Sequence, residues 1–450
     1  MTSAALSNPT IPLLRFHRPE DVFAWRAGKP VTAGNFLDEV RLLAQRLPDR
    51  PHVLNLCSDR YHFVAGFAAA MLRGQVSLLP PNHTPDIIRR LLKHYPELYC
   101  LTDNSEAPAG LQAVHYPEPD CNGTQHADMP AFPPWQIAAI VFTSGSTGDP
   151  TPNEKTWGSI ERNVASAAAR IGVLGRGDLT VLGTVPPQHM YGFESTAMIA
   201  LQGGVILHPA RPFFPADIAA ALEEIPGPRE LVTTPVHLRT LLDSGVELPQ
   251  LELLVCATAP LSRELARQAE ERYRAPLHEI YGFTEAGQVA SRRTSQTDEW
   301  RTYDGLAIRR DGEKFFVSGG HVAGERQMTD AIDLRSPTTF LLHGRAADLI
   351  NIAGKRTSLA SLNHHLNEID GVKDGVFFMP DEKGADNARL AAFVVAPGKT
   401  SGDILSGLRQ RIDPVFLPRP LLMVDALPRN STGKLPRASL EQLLQQGRCN

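Results

Sequence analysis

Short apolar runs alternate along this chain with longer stretches whose apolar residues recur at helical spacing. Residues 53–57 form an apolar run of strand length, and 61–73 a helical pattern rich in Ala, Phe, Met and Leu that Gly74 ends. Residues 76–80 predict a second strand, 84–94 a helix opened by Thr84-Pro85, and Tyr99–Thr102 a third strand. Strand–helix–strand–helix–strand is the pattern of a parallel sheet with helices on its faces. Upstream, the pattern predicts a short strand at 13–16 and a helix at 35–46 capped by Asn35. Residues 104–135 are rich in Pro, Asn, Asp and Gly and read as a loop, with a short strand near 113–116. The alternation then resumes. A strand ends at 138–141, and Trp157–Ile171 is an alanine-rich helix ended by Gly172. Residues 180–186 are a strand, and 197–207 a helix and a strand broken by Gly203-Gly204. A helix at 217–224, a strand at 230–233, a helix at 235–242 and a strand at 251–257 predict a second parallel or mixed sheet. Short strands at 306–309, 314–318 and 339–342 predict a small β-rich subdomain. The last hundred residues hold strands at Leu349–Ile352, 375–379 and 390–395 and helices at 359–368 and 400–412. The fold class is α/β: a large N-terminal part of α/β sheets with a small β subdomain, then a small α+β C-terminal part.

At 450 residues the chain is too long for one ordinary core, and two or three domains follow. A hydrophobic content of 42% with 21% charged residues belongs to a soluble globular protein. A net charge of −4 gives no footprint for nucleic acid. Cys57, Cys100, Cys121, Cys256 and Cys449 are odd in number and widely spaced, which argues for reduced thiols in the cytoplasm rather than a disulfide framework. No pair of them has metal-site spacing. The N-terminus lacks a signal-peptide pattern, and no stretch of about 20 apolar residues exists to span a membrane.

The stretch after the strand at 138–141 carries the first chemistry. Thr143, Ser144, Gly145, Ser146, Thr147 and Gly148 are all small, hydroxylated or glycine. Successive backbone N–H groups in such a turn form an anion-binding concavity, and glycine lets a ligand approach the backbone. A glycine-rich surface turn is the plain alternative. It is not a Walker A loop, because Asp149 follows Gly148 and the nearest downstream lysine is Lys155. The run resembles the phosphate loop of the adenylate-forming superfamily: acyl-CoA synthetases, aryl-CoA ligases, peptide-synthetase adenylation domains and luciferases. That loop reads roughly Thr-Ser-Gly-Ser-Thr-Gly-x-Pro-Lys. This chain matches through Pro150 and then has Thr151 at the lysine position, with Lys155 as a substitute from one turn further on.

Further motifs follow in the superfamily's order. His189, in Pro187-Gln188-His189-Met190-Tyr191-Gly192, occupies the position where acyl- and aryl-acid ligases carry an aromatic or histidine between phosphate site and acyl pocket. Its alternative is a loop histidine that satisfies backbone groups. Glu194 keeps an amino-acid substrate open, because amino-acid-activating members pair a nearby acid with the substrate amine. Ala257, Thr258, Ala259 and Pro260 resemble the small-residue turn beside the adenine, at a strand's carboxyl end where ligands of open sheets bind. Tyr281-Gly282-Phe283-Thr284-Glu285 is similar to the Tyr-Gly-x-Thr-Glu motif. Tyr281 can lie against a purine, Thr284 can donate to the α-phosphate, and Glu285 can hold Mg²⁺, a hard cation bound by a carboxylate plus phosphate oxygens. Asp330, fifteen positions before Arg345, resembles the ribose-binding aspartate of the pair, with Asp333 as competitor. Residues 343–348 look like the interdomain hinge, with Ala347 where an acid or lysine is usual. Gly354 stands where thioester-forming members let a pantetheine arm pass. Leu427-Pro428-Arg429, followed by Gly433-Lys434, resembles the terminal motif whose lysine bridges carboxylate and α-phosphate.

The resemblance implies a two-domain ligase: 1–345 an N-terminal AMP-binding domain, and 346–450 a mobile C-terminal domain carrying the catalytic Lys434. It implies ATP and Mg²⁺ as cofactors and a carboxylic acid, aryl or fatty acyl, as substrate. Coenzyme A or an acyl carrier protein is the implied thiol acceptor. From a different class, a non-catalytic nucleotide-binding regulator on this scaffold stays open through Thr151 and Ala347.

Overall fold

The computed structural model describes residues 9–80, 82–104, 107–117, 128–144, 150–345, 349–352, 355–380, 390–430 and 434–448. Two sheets dominate residues 9–345. The first has the strand order Pro150–Thr156, Ile137–Ser144, Val76–Leu79, His52–Asn55, Tyr99–Thr102 and Gln112–His115. All neighbours run parallel except the edge strand Pro150–Thr156, which is antiparallel to Ile137–Ser144. The second sheet runs Asp330–Ser336, Thr339–Arg345, Glu299–Thr302, Gly287–Arg292, Leu277–Phe283, Leu253–Cys256, Arg229–Thr233, Thr180–Gly183, Ile206–Leu207, Val22–Arg26, Lys29–Thr32. Its centre, from Leu277–Phe283 to Val22–Arg26, is parallel, and both flanks are antiparallel. Parallel strands need cover on both faces, which is why their sequences are continuous apolar runs.

Helix Arg60–Leu72 lies in the main core and is buried on nearly every side, so its sequence is apolar all round rather than striped. Phe67 packs against Phe193 of the π-helical segment Phe193–Gly203, ring centres 5.4 Å apart, and so joins elements of the two sheets. Helix Trp157–Ile171 falls where its pattern predicts. Thr156 Oγ1 accepts from the Ser159 N–H, and Gly172 ends the helix at φ +81°.

Several expectations are corrected. Residues 13–16 form no strand. Leu13 N–H donates to Pro130 and Arg15 N–H to Leu201, so the segment's donors go to two different elements, and only Ile11–Pro12 pairs as a strand. The cap of the first helix is Thr32, not Asn35. Thr32 Oγ1 accepts from Asn35 N–H, and the helix runs Ala33–Arg46. The helix expected from 197 starts at Phe193. Helix Arg263–Tyr273, capped by Ser262, was not foreseen, although Leu265, Ala266, Ala269 and Tyr273 give it a helical apolar stripe. The small β unit is the three-stranded sheet Leu306–Asp311, Lys314–Gly319 and Val322–Met328. Strand Thr339–Arg345 joins the large sheet instead, because Phe340 faces Trp300 across the ladder with the rings stacked 13° from parallel.

In the C-terminal part, strands Asp374–Phe378, Ala391–Val395 and Leu421–Met423 form one sheet. Phe377, Ala392 and Val394 face Leu362, Leu366, Ile404 and Leu408 on helices Leu359–Asn367 and Ser401–Arg409. Val376, Phe378 and Phe393 pack with Leu440 and Leu444 of helix Arg437–Arg448. The period of two along each strand feeds two separate clusters, one per face. No described helix is long and apolar enough to cross a membrane.

Candidate active site

The carboxyl ends of the parallel strands carry most of the sequence-predicted residues. Strand Thr180–Gly183 leads to His189, Leu253–Cys256 to the 257–260 turn, and Leu277–Phe283 to Thr284 and Glu285. Strand Ile137–Ser144 of the first sheet carries Thr143 and Ser144. Gly145, Ser146, Thr147 and Gly148 lie outside the described residues, as do the hinge positions 346–348 and Gly354.

The His189 loop is held from several directions. Arg60, fully buried, donates from one terminal nitrogen to the carbonyls of Gly183 (2.7 Å) and Val185 (3.0 Å). Its other terminal nitrogen donates to Thr196 Oγ1, which in turn donates to the Gly192 carbonyl. Gln188 Nε2 reaches the Cys57 carbonyl at 2.7 Å, and Tyr191 Oη donates toward Thr233 O and Val255 O at 3.1 and 3.0 Å. Gly192 leaves no room for a side chain, since a Cβ there would lie 2.1 Å from the Pro186 carbonyl. His189 Nδ1 accepts the Tyr191 N–H (3.3 Å), so a neutral ring carries its proton on Nε2. Burial, aided by the Lys434 charge, lowers its pKa to about 4. His189 is therefore a neutral donor at physiological pH, and Lys434 of the C-terminal part stands near enough to act on it.

Lys155 is not one helical turn beyond Pro150. Residues 150–156 form a strand, and the side chain is buried. Its Nζ donates to Thr284 O at 2.6 Å and Glu285 O at 3.4 Å, so the flank of the glycine-rich turn is tied to the Tyr-Gly-x-Thr-Glu turn. Burial lowers the lysine pKa against the pull of Glu194 and Glu285. Glu194 is buried too. Desolvation pushes its pKa up to about 8, opposed by Lys155 and by the Asn163 side-chain amide that donates to it. Thr284 is half-buried and Glu285 exposed.

Tyr281 does not lie open like a stacking platform. It is edge-on to Trp300 and Phe340, with ring centres 5.8 and 5.7 Å away, and its Oη donates to Asp330 Oδ2 at 2.5 Å. Asp330 pairs in register with Arg345 across adjacent strands, which brings the predicted ribose pair together. The competitor Asp333 instead pairs with Arg335 at 3.0 Å on the surface. At Gly282 the ladder bulges, and a Cβ would meet the Gly287 carbonyl at 2.4 Å. Thr258 takes φ +83°, a left-handed conformation costly for a β-branched residue, so the 257–260 turn stores strain. Glu279 steadies that turn. Its carboxylate accepts from Leu261 N–H (3.3 Å), Arg292 Nε (2.8 Å) and Thr294 Oγ1 (2.6 Å). At the C-terminal motif, Arg429 forms a bidentate pair with Asp374 at 2.8 and 2.9 Å. Lys434 N–H donates to Asn430 Oδ1 and Asn430 N–H to Lys434 O, both at 2.8 Å.

Sequence reasoning missed Arg60, Asn163 and Glu279. Each has polar neighbours in sequence (Ser58-Asp59 before Arg60, Glu161-Arg162 before Asn163, His278 before Glu279), so no local signal marks it as buried. Among the described residues no group of three or more His, Cys, Asp or Glu could hold a metal by itself.

Polar groups gathered at the carboxyl ends of parallel strands, beside a glycine-rich turn, define a nucleotide-binding α/β enzyme. The chain belongs to the AMP-binding enzyme family, whose model matches residues 17–309. It is 26% identical to the 4-coumarate–CoA ligase of Rhodobacter capsulatus over 72% of this chain and 83% of that protein. It is 24% identical to the 2-succinylbenzoate–CoA ligase of Staphylococcus epidermidis over 70% of this chain and 72% of that one. Its fold matches that of O-succinylbenzoate coenzyme A synthetase (MenE) from Bacillus subtilis in complex with AMP. The TM-score is 0.79 over 94% of this chain and 96% of that chain, at 18% identity.

Proposed function

We propose that this protein activates a carboxylic acid with ATP, forming an acyl-adenylate and pyrophosphate, and then transfers the acyl group to a pantetheine thiol. The observation that carries this reading is the convergence on one set of strand ends. His189, the Lys155-tethered Thr284–Glu285 turn and Tyr281 with its partner Asp330 follow or end neighbouring strands of the second sheet, and the Lys434 charge acts on His189, which supports this reading. A carboxylate oxygen of the acid attacks the α-phosphorus and pyrophosphate leaves, so no covalent enzyme intermediate is needed. The chain's contribution is positioning and charge stabilisation. Lys434 neutralises charge on the carboxylate and α-phosphate, and Thr284 donates to that phosphate. The N–H groups of the glycine-rich turn receive the remaining phosphates. Asp330 and Arg345 hold the ribose, and Tyr281 orients Asp330. Glu285 is exposed at the turn and would hold Mg²⁺, a hard cation that a carboxylate suits. The ion supplies further charge stabilisation when bound.

The CoA ligase relatives support coenzyme A as acceptor, and an acyl carrier protein offers the same thiol chemistry. Residues 346–450 act as the mobile domain that admits it. Glu194 sits beside Asn163 and within reach of the Lys155 charge, so it is already compensated. That favours an aryl or acyl acid over an amino acid. The test is acid-dependent pyrophosphate release with ATP and Mg²⁺ over a panel of aryl, fatty and amino acids. Lys434→Ala should lower the rate by roughly 10²–10³, the cost of one preorganised charge donor. Wild-type activity in that variant would overturn the assignment, and ATP binding without turnover of any acid would favour a regulator.

A further inference from the structure

A small cavity lies between the second sheet, helix Trp157–Ile171 and the π-helical segment Phe193–Gly203. It is about 10 Å³, room for one water-sized occupant, and Glu194, Ser195, Glu230 and Gln288 bring polar side chains to its wall. Strand register explains part of the gathering. Val232 pairs with Val255 and Val255 with His278, so Glu230, Val255 and Ile280 share one face of the sheet. The rest of the wall is apolar.

Glu230 is the anomaly. It is 0% exposed, Leu231 and Val232 follow it in strand Arg229–Thr233, and neither carboxyl oxygen has a partner. Gln288 shares the defect. Its Nε2 donates to Ser195 Oγ at 2.8 Å, but its Oε1 is buried and unpartnered. Each of these orphaned atoms on the wall is an acceptor when Glu230 is ionised. They outnumber the two hydrogens of a single water, whereas one cation can meet all of them at once.

The charges point the same way. Glu194 has Lys155 to pull against its burial, and the Asn163 amide donates to it. Only burial acts on Glu230, and it raises the pKa to about 8, so no cationic group of the protein offsets that carboxyl. The cluster is one positive charge short, which favours a monovalent ion. Mg²⁺ keeps several waters, for which a water-sized cavity has no room, and Ca²⁺ takes about six to eight oxygens. A potassium ion is close to a water molecule in size, and protein oxygens can replace its hydration shell.

We infer that Glu230 and Gln288, with Ser195 and Glu194 beside them, form a site for one dehydrated alkali cation of potassium size. The ion ties the sheet to the π-helical segment that follows the His189 loop. With only two acids, the site depends on amide and hydroxyl oxygens to complete its shell. In buffers without alkali cations Glu230 keeps a proton in the ion's place. The inference concerns a structural ion and does not depend on the acid-activating reading.

The test is thermal unfolding of the full chain, without ATP or acid, in choline, potassium or rubidium chloride at one ionic strength. Potassium and rubidium should each raise the midpoint by at least about 2 °C over choline. Glu230→Gln keeps the side-chain shape and removes the charge, and it should lose that difference. Wild-type crystals grown in rubidium chloride should show an anomalous peak in contact with the Glu230 carboxylate. Identical midpoints in all three salts would overturn the inference from the wild type alone. So would an equal potassium effect in the two proteins, which puts the ion elsewhere. A water in the cavity and no anomalous peak would also overturn it, because Glu230 is then a protonated acid bridged by that water. Since neither ATP nor acid is present, failure of the inference leaves acid activation standing.

Discussion

Lys155→Met isolates what the tether between the glycine-rich turn and the Thr284–Glu285 turn contributes. The substitution keeps the stem length and removes the ammonium. It deletes a charge-assisted hydrogen bond to Thr284 O at 2.6 Å and a longer contact to Glu285 O at 3.4 Å. Such bonds contribute about 1.5–3 kcal/mol. Against this, a buried ammonium costs several kcal/mol to desolvate, and the thioether does not. Glu194 loses its cation as well. Its pKa is already near 8 with the lysine present, so at pH 7 it is mostly protonated, and losing the lysine pushes it further toward the neutral form rather than leaving a buried charge. The two large terms oppose each other, and global stability should change by less than about 2 kcal/mol. The turn carrying Thr284 and Glu285, however, loses its anchor. A misplacement of about 1 Å costs on the order of 10² in rate, so acid-dependent pyrophosphate exchange at saturating ATP should fall by about 100-fold. Urea denaturation of the same preparation separates the two effects. Wild-type exchange would refute the tether. A stability loss above about 4 kcal/mol would refute the claim that Glu194 neutralises itself.

Two further outcomes follow from the geometry. Gly192→Ala places a Cβ 2.1 Å from the Pro186 carbonyl, a backbone atom that cannot yield cheaply. It should destabilise the protein by about 1–3 kcal/mol in urea denaturation and impair exchange by moving His189. Glu230 makes a pH prediction. Its folded pKa, about 8, lies above the ordinary 4.5, so between those values the folded state binds the extra proton. Stability of the wild type relative to Glu230→Gln should therefore fall as pH rises from about 4.5 to 8 and level off above, by up to about 5 kcal/mol. Parallel stability–pH curves for the two proteins would contradict it.

The motifs could be read locally because their chemistry needs given residue types at given spacings. A concavity for phosphate needs consecutive small residues, and Tyr-Gly-x-Thr-Glu brings its hydroxyl and acid to one turn. The helix Trp157–Ile171 was readable to its ends because Thr156 and Gly172 stop it by local geometry. Elements fixed by distant partners were not. Residues 13–16 have extended sequence but bend, since their donors reach residues 130 and 201. The sequence offers Lys155 only as a substitute one turn past the loop. The antiparallel return of strand Pro150–Thr156 instead points it at carbonyls some 130 positions away.

Periodicity and short-range capping are properties of neighbouring residues, so the α/β alternation, the order of the motifs and the lysine-bearing terminal segment are legible along the chain. That Arg60 clamps the His189 loop, that Asp330 rather than Asp333 meets Tyr281, and that Glu230 faces a cavity come from packing alone. Arg60 and Glu230 are buried polar groups and Asp330 is a partly buried one. Whether such a group finds a partner depends on which strands and helices are packed together, and nothing in its sequence neighbours encodes that.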